Sequence, residues 1–188
     1  MDWVLASNSP RRKELLASLG ISFSCASADI EEVNVEFHPQ PESVAQNNAR
    51  KKAEYVSDLY PNAYVIGADT IVSLEEEIFY KPKDMLEAKH MLQQLAGKQH
   101  TVITAVSVIC KAEPFLKTIF DKTFVYFKPL RDTFIDEYFK SVHPLDKSGA
   151  YAIQDPLTQT FAHISGSESN VMGFPVEKFA ELILKSKF

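Results

Sequence analysis

The chain is poor in the residues from which the commonest nucleotide and hydrolase motifs are built. It has only six glycines in 188 residues, and none falls into GxGxxG or GxxxxGK[ST], so neither a dinucleotide fingerprint nor a P-loop is present. Its five histidines show no HExxH or HxxxH spacing, and no serine stands in a GxSxG elbow, which disfavours zinc and serine hydrolases. Cys25 and Cys110 are its two cysteines, far apart and outside any CxxC or Cys/His pattern, which fits a reducing compartment and offers no warrant for a disulfide or a structural zinc. No apolar run approaches the length of a membrane span. The opening MDWVLASNSP reaches a proline and two arginines after a handful of apolar residues, unlike the apolar core of a signal peptide. The expectation is a cytoplasmic protein with no membrane partner.

Positive charge is also in deficit: the net charge is −5 and the pI about 5.6. A general attraction to nucleic acid is therefore not expected, and an anionic ligand needs local cations. What the chain does have is apolar content, at 45% hydrophobic and 11% aromatic residues. That is enough to bury one sizeable core or to fold as two lobes about a cleft, and we read residues 1–188 as a single domain.

Strand and helix signals alternate along the chain, the pattern of an α/β fold. A short apolar run at Trp3 to Ala6 leads through Ser-Pro into RRKELLASLG, a strand, tight turn and helix stopped by Gly20. Helical spacing recurs at residues 41 to 60, ending before Pro61, and YVIGADTIV reads as a buried strand. The acidic tip Glu75-Glu76-Glu77 turns that strand into a hairpin returning through IFYKP. Asp84 and Glu87 have the form of a capping box opening a helix closed by Gly97. HTVITAVSVIC and KTIFDKTFVYF read as neighbouring strands, 132 to 142 and Val176 to Lys185 as helices, and the stretch between those two helices as loop-rich.

Three places carry candidate chemistry. Ser7-Asn8-Ser9-Pro10-Arg11-Arg12 lies where the first strand meets the first helix, a junction where backbone amides favour a phosphate. Two arginines in a first helical turn oppose the helix dipole, which points either to solvated side chains or to an anion that they and the amides share. Lys52 lies only about 60° from the centre of the apolar stripe on its helix. Such a lysine either snorkels to water or meets a phosphate in a cleft. Asp69 interrupts the apolar strand VIGADTIV, where a carboxylate is costly unless paired, hydrogen-bonded or bound to a metal such as magnesium. Glu31-Glu32 could add a second carboxylate, and Lys81 and Gln154 complete the polar candidates.

The series LASNSPRRKELLASLG, DIEE, ARKKA, GADTIV, KPKD, MLQQLAGKQHTVIT, DKSGAYAIQ and NVMGFP, in that order, resembles the Maf proteins from residue 4 to about residue 176. The resemblance implies an elongated mixed β-sheet flanked by helices, similar to the inosine triphosphatase group, with a cleft between two lobes. It implies a nucleoside triphosphate pyrophosphatase that uses Mg2+ or Mn2+, and a homodimer is compatible with it. Carried over by position, Asp69 becomes the proton acceptor and metal carboxylate with Glu32 supporting the metal. Ser7, Arg11, Arg12, Lys52 and Lys81 become contacts to the triphosphate, the two lysines serving catalysis. Arg11, Thr70 and Gln154 match the branch acting on dTTP and UTP rather than the one acting on 7-methyl-GTP. Two departures are DIEE in place of DIDE, and Asp155-Pro156 after Gln154 where the family usually has glycine. Other classes compatible with the residues are a non-catalytic nucleotide-binding regulator of septum formation, a role also linked with Maf proteins, and an RNA-binding module, which the acidic balance opposes.

Overall fold

The computed structural model describes residues 2–30, 32 and 40–186. Its frame is a mixed seven-stranded sheet in the order β2-β1-β3-β5-β6-β7, with β4 paired to β3. The strands are β1 (Trp3–Leu5), β2 (Phe23–Cys25), β3 (Tyr64–Leu74), β4 (Glu77–Phe79), β5 (Gln99–Cys110), β6 (Phe115–Phe127) and β7 (Ala162–Ser165). The helices are α1 (Pro10–Ala17), α2 (Pro41–Leu59), α3 (Met85–Leu95), α4 (Asp132–Ser141), α5 (Pro156–Phe161), α6 (Glu168–Met172) and α7 (Val176–Lys185). β1 runs parallel to β2 and β3, while β3, β5, β6 and β7 form an antiparallel meander. This is the elongated, helix-flanked sheet that the motif series implies.

β3, β5 and β6 are long enough to serve two separate cores. At one end Trp3, Leu5, Tyr64, Ile66, Val106 and Val108 pack with Leu16 of α1 and Phe179 of α7. At the other, Val72, Val102, Val125 and Phe127 pack with Leu92 and Leu95 of α3 and with Ile135 and Tyr138 of α4. α2 covers the opposite face of the sheet with a stripe of small residues, Ala45, Ala49 and Ala53, all fully buried. The small stripe lets helix and strand backbones approach closely. At Gly67 of β3 a Cβ atom would stand 2.2 Å from the carbonyl oxygen of Ala49 and 2.6 Å from the nitrogen of Ala53.

One edge of β3 is broken. β1 pairs with Tyr64, Val65 and Ile66, and β4 pairs with Val72, Ser73 and Leu74. Between those two pairings the edge carries side chains in place of a strand: Lys52 Nζ lies 3.5 Å from the carbonyl of Ala68, and Ser148 Oγ donates to the carbonyl of Thr70 at 3.0 Å. Buried carbonyls need partners, and here side chains supply them. The gap therefore opens β3 to groups from both faces of the sheet.

Most elements match the sequence reading, including the hairpin at Glu75 and the cap at Asp84, which accepts from the backbone N–H of Glu87 at 2.8 Å. The reciprocal bond of that capping box is displaced by one residue: the Glu87 carboxylate accepts from the N–H of Lys83 at 2.7 Å. β2 was not foreseen, and the stretch expected as loop holds a 3-10 turn at Ser148–Ala150 together with α5, β7 and α6. These elements of three to six residues are too short to show a period. Asp155-Pro156 opens α5, with Asp155 Oδ1 accepting from the N–H of Leu157 at 2.9 Å. Among the described residues no helix is long and apolar enough to cross a membrane.

Two stability predictions follow from this packing. Replacing Gly67 by alanine forces α2 off β3 and should cost about 3 kcal/mol, read as a fall in the urea midpoint at unchanged slope. His100 is 1% exposed, its Nε2 lies 2.9 Å from the Tyr151 hydroxyl, and burial pushes its pKa down from 6.5 to about 3. The unfolded chain thus protonates His100 near 6.5 while the folded chain resists until about 3. Stability from the neutral ring is complete above pH 6.5 and declines as pH falls toward 3, by up to about 1.4 kcal/mol per pH unit. Urea titrations from pH 7.5 to 4 should show a shallower decline in His100→Gln than in the wild type; parallel curves would contradict this assignment.

Candidate active site

A cleft opens at the broken edge of β3, between the two cores. α1 supplies Arg11 and Arg12, β3 supplies Asp69 and Thr70, and α2 supplies Lys52. The far wall consists of Tyr80, Lys81 and the segment from Asp146 to Gln154. Gly149 and Ala150, both with left-handed φ of 72° and 64°, turn that segment so that Tyr151 to Gln154 line the cleft.

Asp69 and Thr70, adjacent on a strand, point to opposite faces. Asp69 faces α2. It is 5% exposed, with Oδ1 accepting from Lys52 Nζ at 2.7 Å and Oδ2 from Asn48 Nδ2 at 3.2 Å. Lys52 Nζ also lies 2.7 Å from Glu32 Oε1, so one ammonium joins the two carboxylates. With the contact to Ala68, its three protons have three acceptors. Lys52, read from sequence as a contact to the triphosphate, is directed at the two carboxylates. Burial acts to raise the pKa of Glu32, but Lys52, with Lys81 and Arg12 farther off, outweighs it and holds the group below the ordinary glutamate value.

Thr70 faces the other way and begins a chain of hydrogen bonds. Thr104 Oγ1 donates to the Asn170 carbonyl at 2.8 Å, so the 3.0 Å contact between the two threonine hydroxyls has Thr70 as donor. Thr70 Oγ1 in turn accepts from Arg12 Nη2 at 3.1 Å. Arg12 Nε donates to the Gly173 carbonyl at 2.9 Å, and its Nη1 lies 3.5 Å from Ser7 Oγ. Burial lowers the pKa of Arg12, against the pull of Asp69 and Glu32, yet a guanidinium stays charged in proteins. Its hydrogen-bond partners Gly173, Ser7 and Thr70 are neutral, and among the described residues it forms no ion pair. A half-buried cation held in place by neutral acceptors is a seat for an anion.

The other sequence candidates are placed as follows. Ser7 sits behind Arg12 and is not among the residues lining the cleft, whereas Ser9 is. Arg11 Nη1 pairs with Asp146 Oδ2 at 3.1 Å across the cleft. Lys81 and Gln154 are exposed on the wall. Glu31 lies outside the described residues. Sequence reasoning missed Asn48, Asp146, Lys147 and Ser148. Asn48 stands one helical turn before Lys52, and the same periodicity that singled out Lys52 also marks it. The other three lie inside the DKSGAYAIQ motif, where nothing in their spacing separates them from a polar loop.

Among the described residues no three carboxylate, histidine or cysteine side chains converge, so no cage made wholly of protein ligands is present. Asp69 and Glu32, however, converge on Lys52 Nζ as hard oxygen donors, their contacting oxygens no farther apart than twice a 2.7 Å contact. Such a pair fits a Mg2+ or Mn2+ completed by phosphate oxygens and water.

The family of Maf-like proteins matches residues 2–186. A dTTP/UTP pyrophosphatase of Geotalea uraniireducens is 44% identical over 173 residues, covering 92% of this chain and 89% of its own. Another, of Desulfotalea psychrophila, is 39% identical over 181 residues, covering 96% and 92%. A solved nucleoside-triphosphatase/dITP/XTP pyrophosphatase from Mycobacterium abscessus is 13% identical with a TM-score of 0.46, over 69% of this chain and 76% of that one.

Removal of the central cation tests the carboxylate pair. Lys52→Met should destabilise the fold by about 3 kcal/mol, the lower part of the range for a broken buried pair because Glu32 retains some solvent. The loss should shrink as pH falls, because Glu32, once freed of Lys52, is no longer held below the ordinary glutamate value and can take up a proton. A pH-independent loss, measured by urea denaturation between pH 7 and 4, would mean that packing alone holds Lys52.

Proposed function

Because this chain belongs to the Maf family, we propose that it hydrolyses dTTP and UTP to the nucleoside monophosphate and pyrophosphate, in the cytoplasm. The observation that carries the reading is the charge pattern of the cleft: a guanidinium, Arg12, without a carboxylate partner among the described residues, beside a carboxylate pair, Asp69 and Glu32, held by Lys52. A polyanion satisfies the first and, together with a divalent ion, the second. The 39–44% identity to enzymes named dTTP/UTP pyrophosphatases supports the choice of nucleotide.

Asp69 and Glu32 would hold Mg2+ or Mn2+, which when bound supplies neutralisation of phosphate charge and a more acidic water. The chain's own work is positional and electrostatic. Arg12, fixed through Gly173 and Thr70, and Lys81 on the facing wall bind the phosphates and stabilise charge developing on the leaving pyrophosphate. Asp69 takes the proton of the attacking water at Oδ2, which accepts the longer 3.2 Å bond from Asn48, while Lys52 fixes Oδ1. Lys52 is in this account a clamp on the carboxylates. Its charge reaches the reaction through them. Gln154, exposed on the cleft wall, offers one donor and one acceptor to the imide edge of uracil or thymine.

The test is pyrophosphate release from dTTP and UTP with magnesium. Asp69→Asn keeps the shape of the side chain and its bond from Lys52 but cannot accept the proton. It should lower kcat by about 10²- to 10⁴-fold with the thermal unfolding curve of a folded protein. Rates near wild type at saturating magnesium would remove Asp69 from the mechanism, and binding of dTTP by the wild type without any turnover would favour a regulator that binds nucleotide.

A further inference from the structure

Arg11 and Lys147 approach from opposite walls of the cleft and meet at a single carboxylate. Arg11 Nη1 lies 3.1 Å from Asp146 Oδ2, and Lys147 Nζ lies 2.5 Å from Asp146 Oδ1. Arg11 Nη2 adds a contact of 3.4 Å to the Asp146 backbone carbonyl, and the exposed His143 ring stands 3.7 Å from Oδ1. Each oxygen of Asp146 thus serves a different cation, as an oxygen of a bridging phosphate would. Exposure divides the group unevenly. The Arg11 and Lys147 side chains are 24% and 13% exposed, whereas that of Asp146 is 53% exposed. All three side chains line the cleft, and the anion is the most exposed of them.

Lys147 has an anchor independent of Asp146, since its Nζ also donates to the His143 carbonyl at 2.6 Å. Arg11 is carried on α1, whose start is capped by Ser9. Lys147 can therefore keep its place when the carboxylate leaves, and Arg11 retains its contact to the Asp146 backbone carbonyl. A terminal phosphate carries more charge than a carboxylate and has more oxygens with which to bridge two cations, so the exchange favours the ligand.

We propose that Lys147 is a phosphate-binding cation of the cleft alongside Arg11, and that Asp146 is their internal counter-anion, released by both when the terminal phosphates of the substrate arrive. The proposal rests on the triphosphate reading given above. Burial acts to raise the pKa of Asp146, but hydrogen bonds from Lys147 and Arg11 outweigh it and hold the carboxyl at about 2. The group is therefore an anion at any working pH, and the ligand, not a proton, drives the exchange. The contact keeps two cations from repelling one another in the empty cleft and competes with phosphate for them.

Calorimetric titration of inorganic tripolyphosphate, at fixed magnesium, reads this without turnover. Asp146→Asn removes the competing charge at a half-exposed position where substitution does not endanger the fold. It should tighten tripolyphosphate binding by about fivefold, the scale of one partly exposed ion pair. Lys147→Met, made in the Asp146→Asn background, should weaken binding again by a similar factor. Unchanged or weaker binding in Asp146→Asn would overturn the proposal, because a carboxylate that only positions Arg11 has the opposite sign. No loss in the Lys147→Met double variant would overturn the role of Lys147, and absence of tripolyphosphate binding in every protein would overturn both parts. Failure of the substrate reading has a different signature: no pyrophosphate from dTTP or UTP, while tripolyphosphate still binds the Asp146→Asn protein more tightly than the wild type.

Discussion

A single ammonium group, Lys52 Nζ, held between Asp69 and Glu32 at the broken edge of β3, is the interaction on which the cleft depends. Without it two carboxylates would face each other in a setting where one of them is 5% exposed, and at least one would take up a proton. With it the two carboxylates are held around one ammonium at the centre of the site. Reaching that point requires α2 to lie almost against β3. The absent side chain of Gly67 and the alanine stripe of α2 provide the approach, and Asn48 and Lys52, one turn apart, use it to reach both oxygens of Asp69.

The broken edge gives the cleft its two-sided character. A continuous sheet would have kept the α2 face, with Asp69, apart from the α1 face, with Thr70 and Arg12. Because β1 and β4 leave the middle of β3 uncovered, groups from both faces and from the far wall line one opening. Five cations, Arg11, Arg12, Lys52, Lys81 and Lys147, and three carboxylates, Glu32, Asp69 and Asp146, line it. In a chain of net charge −5 that local excess of cations is what can draw a polyanion to this place.

Much of the frame was legible because long elements carry long patterns. The stripe on α2, the β-branched and aromatic runs of β5 and β6 and the Asp84 cap each repeat or signal over enough residues to fix the element type. The segment from Asp146 to Gly173 was not legible as structure, since its turn, two short helices and four-residue strand are each too short to repeat a pattern. The site was legible in part. Asp69 stood out as a charge in an apolar strand, and Lys52 as a charge near an apolar stripe, but their being partners was not. Arg11 and Arg12 stood side by side with identical chemistry in the sequence; in the fold one pairs with Asp146 and the other with neutral oxygens.

By itself the sequence determined the α/β class, the family through the order of its motifs, and the charges set in apolar surroundings, Asp69 and Lys52, because burial of a charge is costly wherever the fold puts it. Only the tertiary structure decided which charge meets which. That choice depends on the close approach of α2 to β3, on the interrupted edge of the sheet and on the turn at Gly149 and Ala150, and these bring together residues as far apart as Arg11 and Asp146. Spacing along a chain fixes what a residue can be, while the distances that turn a lysine into a clamp or an aspartate into a counter-anion are set across it.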